Sequence, residues 1–140
     1  LSLHALQDSS SAKILYFQGL IHNQPVRVLM DSGSSHNVMK PCIANHLNLP
    51  KSSTPSFPVM IGDWSSLTSN GRCFDVPLSI QRFSNSISFF LLPIHKVDMV
   101  LGVEWLSTIG PLTFDFSVPS MSFMPDEALI LLQVDNMHTK

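Results

Sequence analysis

Apolar residues recur along this chain in short runs, each broken by Pro, Gly, Asn or Ser. Residues 13–21 form the first β-rich run, and His22-Asn23-Gln24-Pro25 after it has the Asn and Pro that favour a turn between apolar segments. Val26-Arg27-Val28-Leu29-Met30 then resumes a strand and leads directly into Asp31-Ser32-Gly33. Pro41 opens a stretch with Ile43, Ala44 and Leu47 at helical spacing and Pro50 beyond it, which predicts a short helix over 41–47. Residues 52–58 read as loop. Residues 57–61 and 67–73 read as two hairpin arms around a Gly62-Asp63-Trp64-Ser65 tip.

Further along, residues 74–83 alternate apolar and polar, Ser84-Asn85-Ser86 is predicted to turn the chain, and residues 87–94 answer as a second strand. Met99-Val100-Leu101 is wholly apolar, as suits a strand buried on both faces. After Gly102, Val103-Glu104-Trp105-Leu106 predicts one short helix closed by Gly110-Pro111, with Trp105 and Leu106 in the core. Residues 112–116 and 121–123 predict two last short strands, and residues 127–134 fit a strand or a helix. Many short strands with one or two small helices make a mostly-β domain.

The length of 140 residues suits one domain, which we divide into a lead-in over 1–13, the domain proper over 14–124, and a C-terminal strand or tail over 125–140. Hydrophobic residues reach 44% and charged ones only 13%, which places the chain in the globular class. A net charge of −2 with eight scattered basic residues supplies no footprint for nucleic acid. No apolar run approaches the roughly 20 residues that span a bilayer, so no membrane helix is expected. Cys42 and Cys73, without a signal peptide, read as reduced thiols that act as small buried hydrophobes in a cytoplasmic protein. The chain opens at Leu1 rather than Met and reads as a segment of something longer.

The candidate chemistry centres on Asp31, a carboxylate at a strand end followed by the hydroxyl-rich turn Ser32-Gly33-Ser34-Ser35. The Gly33 amide can point back at the carboxylate, and the Ser32 and Ser35 hydroxyls can donate to it, which would poise it for acid or base work. The same tripeptide also fits a plain turn closed by an Asx-type hydrogen bond. Cys42 and His46 lie four apart on the expected helix, but Cys73 and His95 come from unrelated segments, so no metal site is expected. A Cys/His nucleophilic pair has no residue pattern behind it, and no organic cofactor is implied.

A second element, Val100-Leu101-Gly102, follows about seventy residues after Asp31 and again precedes a short helix. The two together, with Phe114-Asp115-Phe116 after them, resemble the retropepsin-like aspartic proteases of gypsy-type LTR retrotransposon polyproteins over residues 14–123. The resemblance implies a single-lobe acid protease fold, closed and β-barrel-like, whose apolar-apolar-Gly strand threads beside the catalytic strand. By the same resemblance Asp31 matches the catalytic aspartate, Ser32 the hydroxyl that braces two subunits, and Gly33, Ser34 and Ser35 the supporting turn. The hairpin tip of Ile61, Gly62, Asp63, Trp64 and Ser65 falls where the family has its substrate-covering flap. Trp64 departs from a pattern that often has Gly there.

Of the eight aspartates only Asp31 carries the motif, whereas this chemistry needs two carboxylates, one ionised to take a proton from water and one protonated to polarise the peptide carbonyl. The second is expected from another copy across a two-fold axis, making a homodimer that hydrolyses an extended polypeptide, its own polyprotein by resemblance. The alternative is an inactive protease-like module that dimerises or binds.

Overall fold

The computed structural model describes residues 13–61, 65–115, 117, 119–124, 129–134 and 136–139. Strands β1 (Lys13–Ile21) and β2 (Gln24–Asp31) pair antiparallel from Ile14↔Asp31 to Ile21↔Gln24. His22 and Asn23 join them at φ 50° and 64°, so the turn has two residues, both in the left-handed region that suits the twist of a hairpin. Pro25, expected in the turn, lies in the exposed start of β2 opposite Leu20.

Next come β3 (Val38–Met39), helix α1 (Pro41–His46), β4 (Ser52–Ile61), β5 (Ser65–Ile80) and β6 (Phe83–Leu91). Pro41 sits in the first turn of α1, where its missing N–H is not needed, and Ala44 is the buried residue of the helix. The chain continues through β7 (Met99–Leu101), α2 (Val103–Leu106), β8 (Thr113–Asp115), β9 (Ser120–Phe123), β10 (Ile130–Gln133) and β11 (Asn136–Thr139). The expected mostly-β fold with one or two short helices is what the described residues form, with two helices among them.

One sheet runs in the order β11-β1-β2-β7-β3-β6-β5-β4, and a smaller one in the order β10-β9-β8. A bridge between β1 and β5 at Leu20↔Ser79 bends the larger sheet into a ring. A Cβ on Gly19 would stand 2.9 Å from Leu78 Cδ1 and 3.1 Å from the Ser79 carbonyl oxygen, so the bare glycine is what lets β1 approach β5. Because one residue pair closes the ring, with β4 and β11 hanging outside it, the expected closed barrel is only approximate.

Two further expectations are corrected and an open one is settled. Residues 52–58 form a strand rather than a loop: β4 is an edge strand with a register shift between Ser53 and Phe57, and an edge tolerates the missing N–H of Pro55 and Pro58. Ser84, Asn85 and Ser86 are strand residues, facing Ser79, Leu78 and Pro77; the chain turns instead at Gln81 and Arg82, with Gln81 at φ 54°. Exposed Ser and Asn serve as well on the wet face of a strand as in a turn, and the Ser79 and Ser84 hydroxyls meet across the pair at 2.9 Å. Residues 130–133 resolve to a strand, β10, paired with β9, and β11, unforeseen as a strand of its own, adds to the edge of β1.

The interior has two apolar clusters, and β7 divides them. Met99 and Leu101 join Phe17, Val28, Met39, Phe89, Trp105 and Leu106 on one side. Val100 faces Val38, Val59, Phe90, Leu92, Ile94 and Val97 on the other. No helix among the described residues is long and apolar enough to cross a membrane. Both cysteines are free, but Cys42 is exposed on α1 rather than buried, while Cys73 is fully buried in β5. Burial pushes the Cys73 thiol up from its ordinary range, and Lys51 opposes this. An aqueous alkylating reagent is therefore expected to modify Cys42 promptly in the native protein and Cys73 only on unfolding, followed by peptide mass mapping. Equal rates at the two sites would contradict the burial of Cys73.

Candidate active site

β2 delivers Asp31 to a turn that its own carboxylate closes. The Gly33 amide donates to Asp31 Oδ1 at 2.8 Å and the Ser34 amide to the Asp31 carbonyl at 3.1 Å. Asp31 is only 7% exposed, an arrangement that fixes a carboxylate rigidly at the end of a strand. Ser32 lies half-buried in the turn, and Ser34 is buried with its Oγ unpartnered. The Ser35 hydroxyl, expected to brace the carboxylate, turns away and meets Met60 of β4 and the His36 ring.

The turn is held from behind by the segment leaving β7, which runs parallel to β2 with Val28↔Met99, Leu29↔Val100 and Met30↔Leu101 in register. Val100 and Leu101 thus lie beside the strand that carries Asp31. A Cβ on Gly102 would stand 2.6 Å from the carbonyl oxygens of both Ser34 and His36, so only glycine fits. Just past it the Val103 amide donates to the Ser34 carbonyl at 2.8 Å and the Glu104 amide to the Ser35 carbonyl at 3.1 Å. Asn37, almost fully buried, locks the junction. Its Oδ1 accepts the Gly102 amide at 3.0 Å, its Nδ2 donates to the Ser88 carbonyl at 3.3 Å, and its own amide donates to Glu104 Oε1 at 3.2 Å.

The model of the family described as retroviral aspartyl protease matches residues 2–113. The chain belongs to that family. Among solved structures, this retroviral-type aspartyl protease domain is similar to the crystal structure of the retroviral protease-like domain of Ddi1 from Leishmania major. The two share 14% identity and superpose with a TM-score of 0.63, over 88% of this chain and 94% of that one, a likeness of fold. A search of curated proteins returned no match.

Of the positions expected to form the flap, Ile61 and Ser65 pair at the tip end of the β4–β5 ladder, and Gly62, Asp63 and Trp64 lie outside the described residues. Below them Phe57 of β4 stacks on Phe90 of β6 at 4.7 Å between ring centroids. The Arg72 guanidinium lies 4.1 Å from the Phe90 centroid, with Glu104 Oε2 3.9 Å away. Cys42 and His46 are exposed on α1 while Cys73 is in the core, and no group of three or more potential metal ligands occurs among the described residues.

Sequence reasoning missed His36, Asn37 and the part Glu104 plays. The available signal was a polar pair, His36-Asn37, wedged between a hydroxyl-rich turn and the apolar Val38-Met39. Gly102→Ala is expected to destabilise the protein by about 2 kcal/mol or more, because backbone on both sides must move. Gly71→Ala, whose nearest neighbour would be a flexible Leu91 methyl at 3.4 Å, should be nearly neutral. Urea midpoints of the two variants give the comparison, and equal midpoints would refute the interlock.

Proposed function

We propose that this chain is a homodimeric aspartic endopeptidase, with Asp31 and its symmetry copy as the two carboxylates. The observation that carries the reading is the Asp31 carboxylate itself, buried at a strand end and held by the Gly33 amide at 2.8 Å, in a member of an aspartyl protease family with one such motif per chain. One carboxylate ionised and one protonated would activate a water and polarise the scissile carbonyl, with no covalent intermediate. Ser32, Gly33, Ser34 and Ser35 support the turn, and Val100, Leu101 and Gly102 support it from behind. Ile61, Gly62, Asp63, Trp64 and Ser65 form a flap over an extended peptide. The domain proper over 14–124 is extended by the C-terminal strands, and the natural substrate is the polyprotein of a gypsy-type retrotransposon, processed in the cytoplasm without nucleic acid, membrane, metal or cofactor.

Three measurements test this. Sedimentation at high micromolar concentration should show a dimer; an active strict monomer would refute the shared site. Cleavage of a peptide library should be strongest on the acidic side of neutral, since the pair must share one proton, and statine-type inhibitors should block it while chelators and thiol reagents do not. Asp31→Asn should lower turnover by at least about a hundredfold while the fold and the dimer survive. Wild-type-like cleavage by that variant would eliminate the dyad, and a folded dimer inert toward every peptide would favour the protease-like binding module instead.

A further inference from the structure

Ser35 makes a two-point contact with the outer hairpin: its amide donates to the Met60 carbonyl at 3.1 Å, and the Met60 amide donates to Ser35 Oγ at 3.2 Å. A hydroxyl has one proton, and its orientation decides whether an Oγ lone pair faces the Met60 amide. Two acceptors compete for that proton. The Met60 carbonyl is 3.5 Å away and already takes the Ser35 amide, whereas His36 Nδ1 is at 2.8 Å. A Ser35 hydroxyl donating to a neutral His36 Nδ1 satisfies all of these groups at once. The His36 ring is in turn held edge-on against Phe57 at 5.1 Å and 86°, and against Phe90 at 5.4 Å and 89°. Phe57 belongs to β4, so His36 touches the same hairpin arm that Ser35 binds.

We infer that His36 is a positioning residue that, acting through the Ser35 hydroxyl, latches the β4 arm to the loop carrying Asp31; the inference rests on the protease reading above. The loop and the arm are separate segments, joined here by the Ser35 amide and by a Ser35 hydroxyl whose direction a neighbouring ring sets. Substrate held between them would sense that latch as binding rather than as chemistry.

The test separates the hydrogen bond from the ring. His36→Phe keeps an aromatic ring for Phe57 and Phe90 but removes Nδ1, whereas His36→Asn keeps an acceptor at the Nδ1 place and removes the ring. Ser35→Ala removes the hydroxyl. Amide hydrogen exchange at Met60 is expected to rise about tenfold in His36→Phe and Ser35→Ala, with little change in β2 and β7, and to stay near wild type in His36→Asn. In peptide cleavage His36→Phe should raise KM with kcat nearly kept, and His36→Asn should leave KM near the wild-type value. The reverse order, with His36→Phe protected and His36→Asn exposed, would overturn the latch in favour of ring packing alone. A uniform rise in exchange across β1, β2 and β7 would overturn it as general destabilisation. A wild-type chain without cleavage, whose Met60 exchange still follows the expected order, would support the latch and count against the protease reading only.

Discussion

The contact on which the rest of this structure depends is between backbones, where the bare Cα of Gly102 sits against the carbonyls of Ser34 and His36. Two loops that each carry unpaired main-chain groups are brought close enough to satisfy one another. Carbonyls of Ser34 and Ser35 receive the amides of Val103 and Glu104, and the Gly102 amide goes to Asn37. Buried main-chain groups without partners cost on the order of 1–3 kcal/mol each, so these exchanges stabilise a turn that has little apolar surface of its own. Asp31 inherits its rigidity from that arrangement.

β7 makes the approach possible. Three consecutive apolar residues, buried on both faces, bind two cores at once, Met99 and Leu101 to one and Val100 to the other. Parallel pairing with β2 then brings the end of β7 level with the end of the Asp31 strand. The burial that stabilises the domain is therefore also what aligns Gly102 with the turn.

On the outer side the contacts differ in kind. β4 is an edge strand with exposed Phe57 and Met60, attached through buried Val59, the Phe57–Phe90 stack and the bonds to Ser35. Its main-chain ladder runs to β5, so its direct tie to the Asp31 loop is the pair of bonds to Ser35. At 14% identity to the Ddi1 domain, such an architecture persists with few shared residues. A likeness of fold carries no activity with it, which has to be argued from the site.

Much of this was legible in the order of residues. The strand into Asp31, the wholly apolar 99–101, Gly102 and the short helices are local signals of β-branched runs, Pro at a helix start and glycine after a strand, each expressed within a few residues. The one-motif count likewise followed from the sequence. Other features had no local cause. Residues 52–58 look like loop and become strand only because β5 offers a partner, and Ser84 to Ser86 extend because the tighter turn at 81–82 holds the register. Ser35 faces β4 and not Asp31 because the hairpin arrives from 25 positions away in sequence. Asn37 likewise meets its partners at separations of 51 to 67 positions. Short-range preference sets backbone form, whereas hydrogen-bond partners and strand edges are set by which distant segments burial brings together.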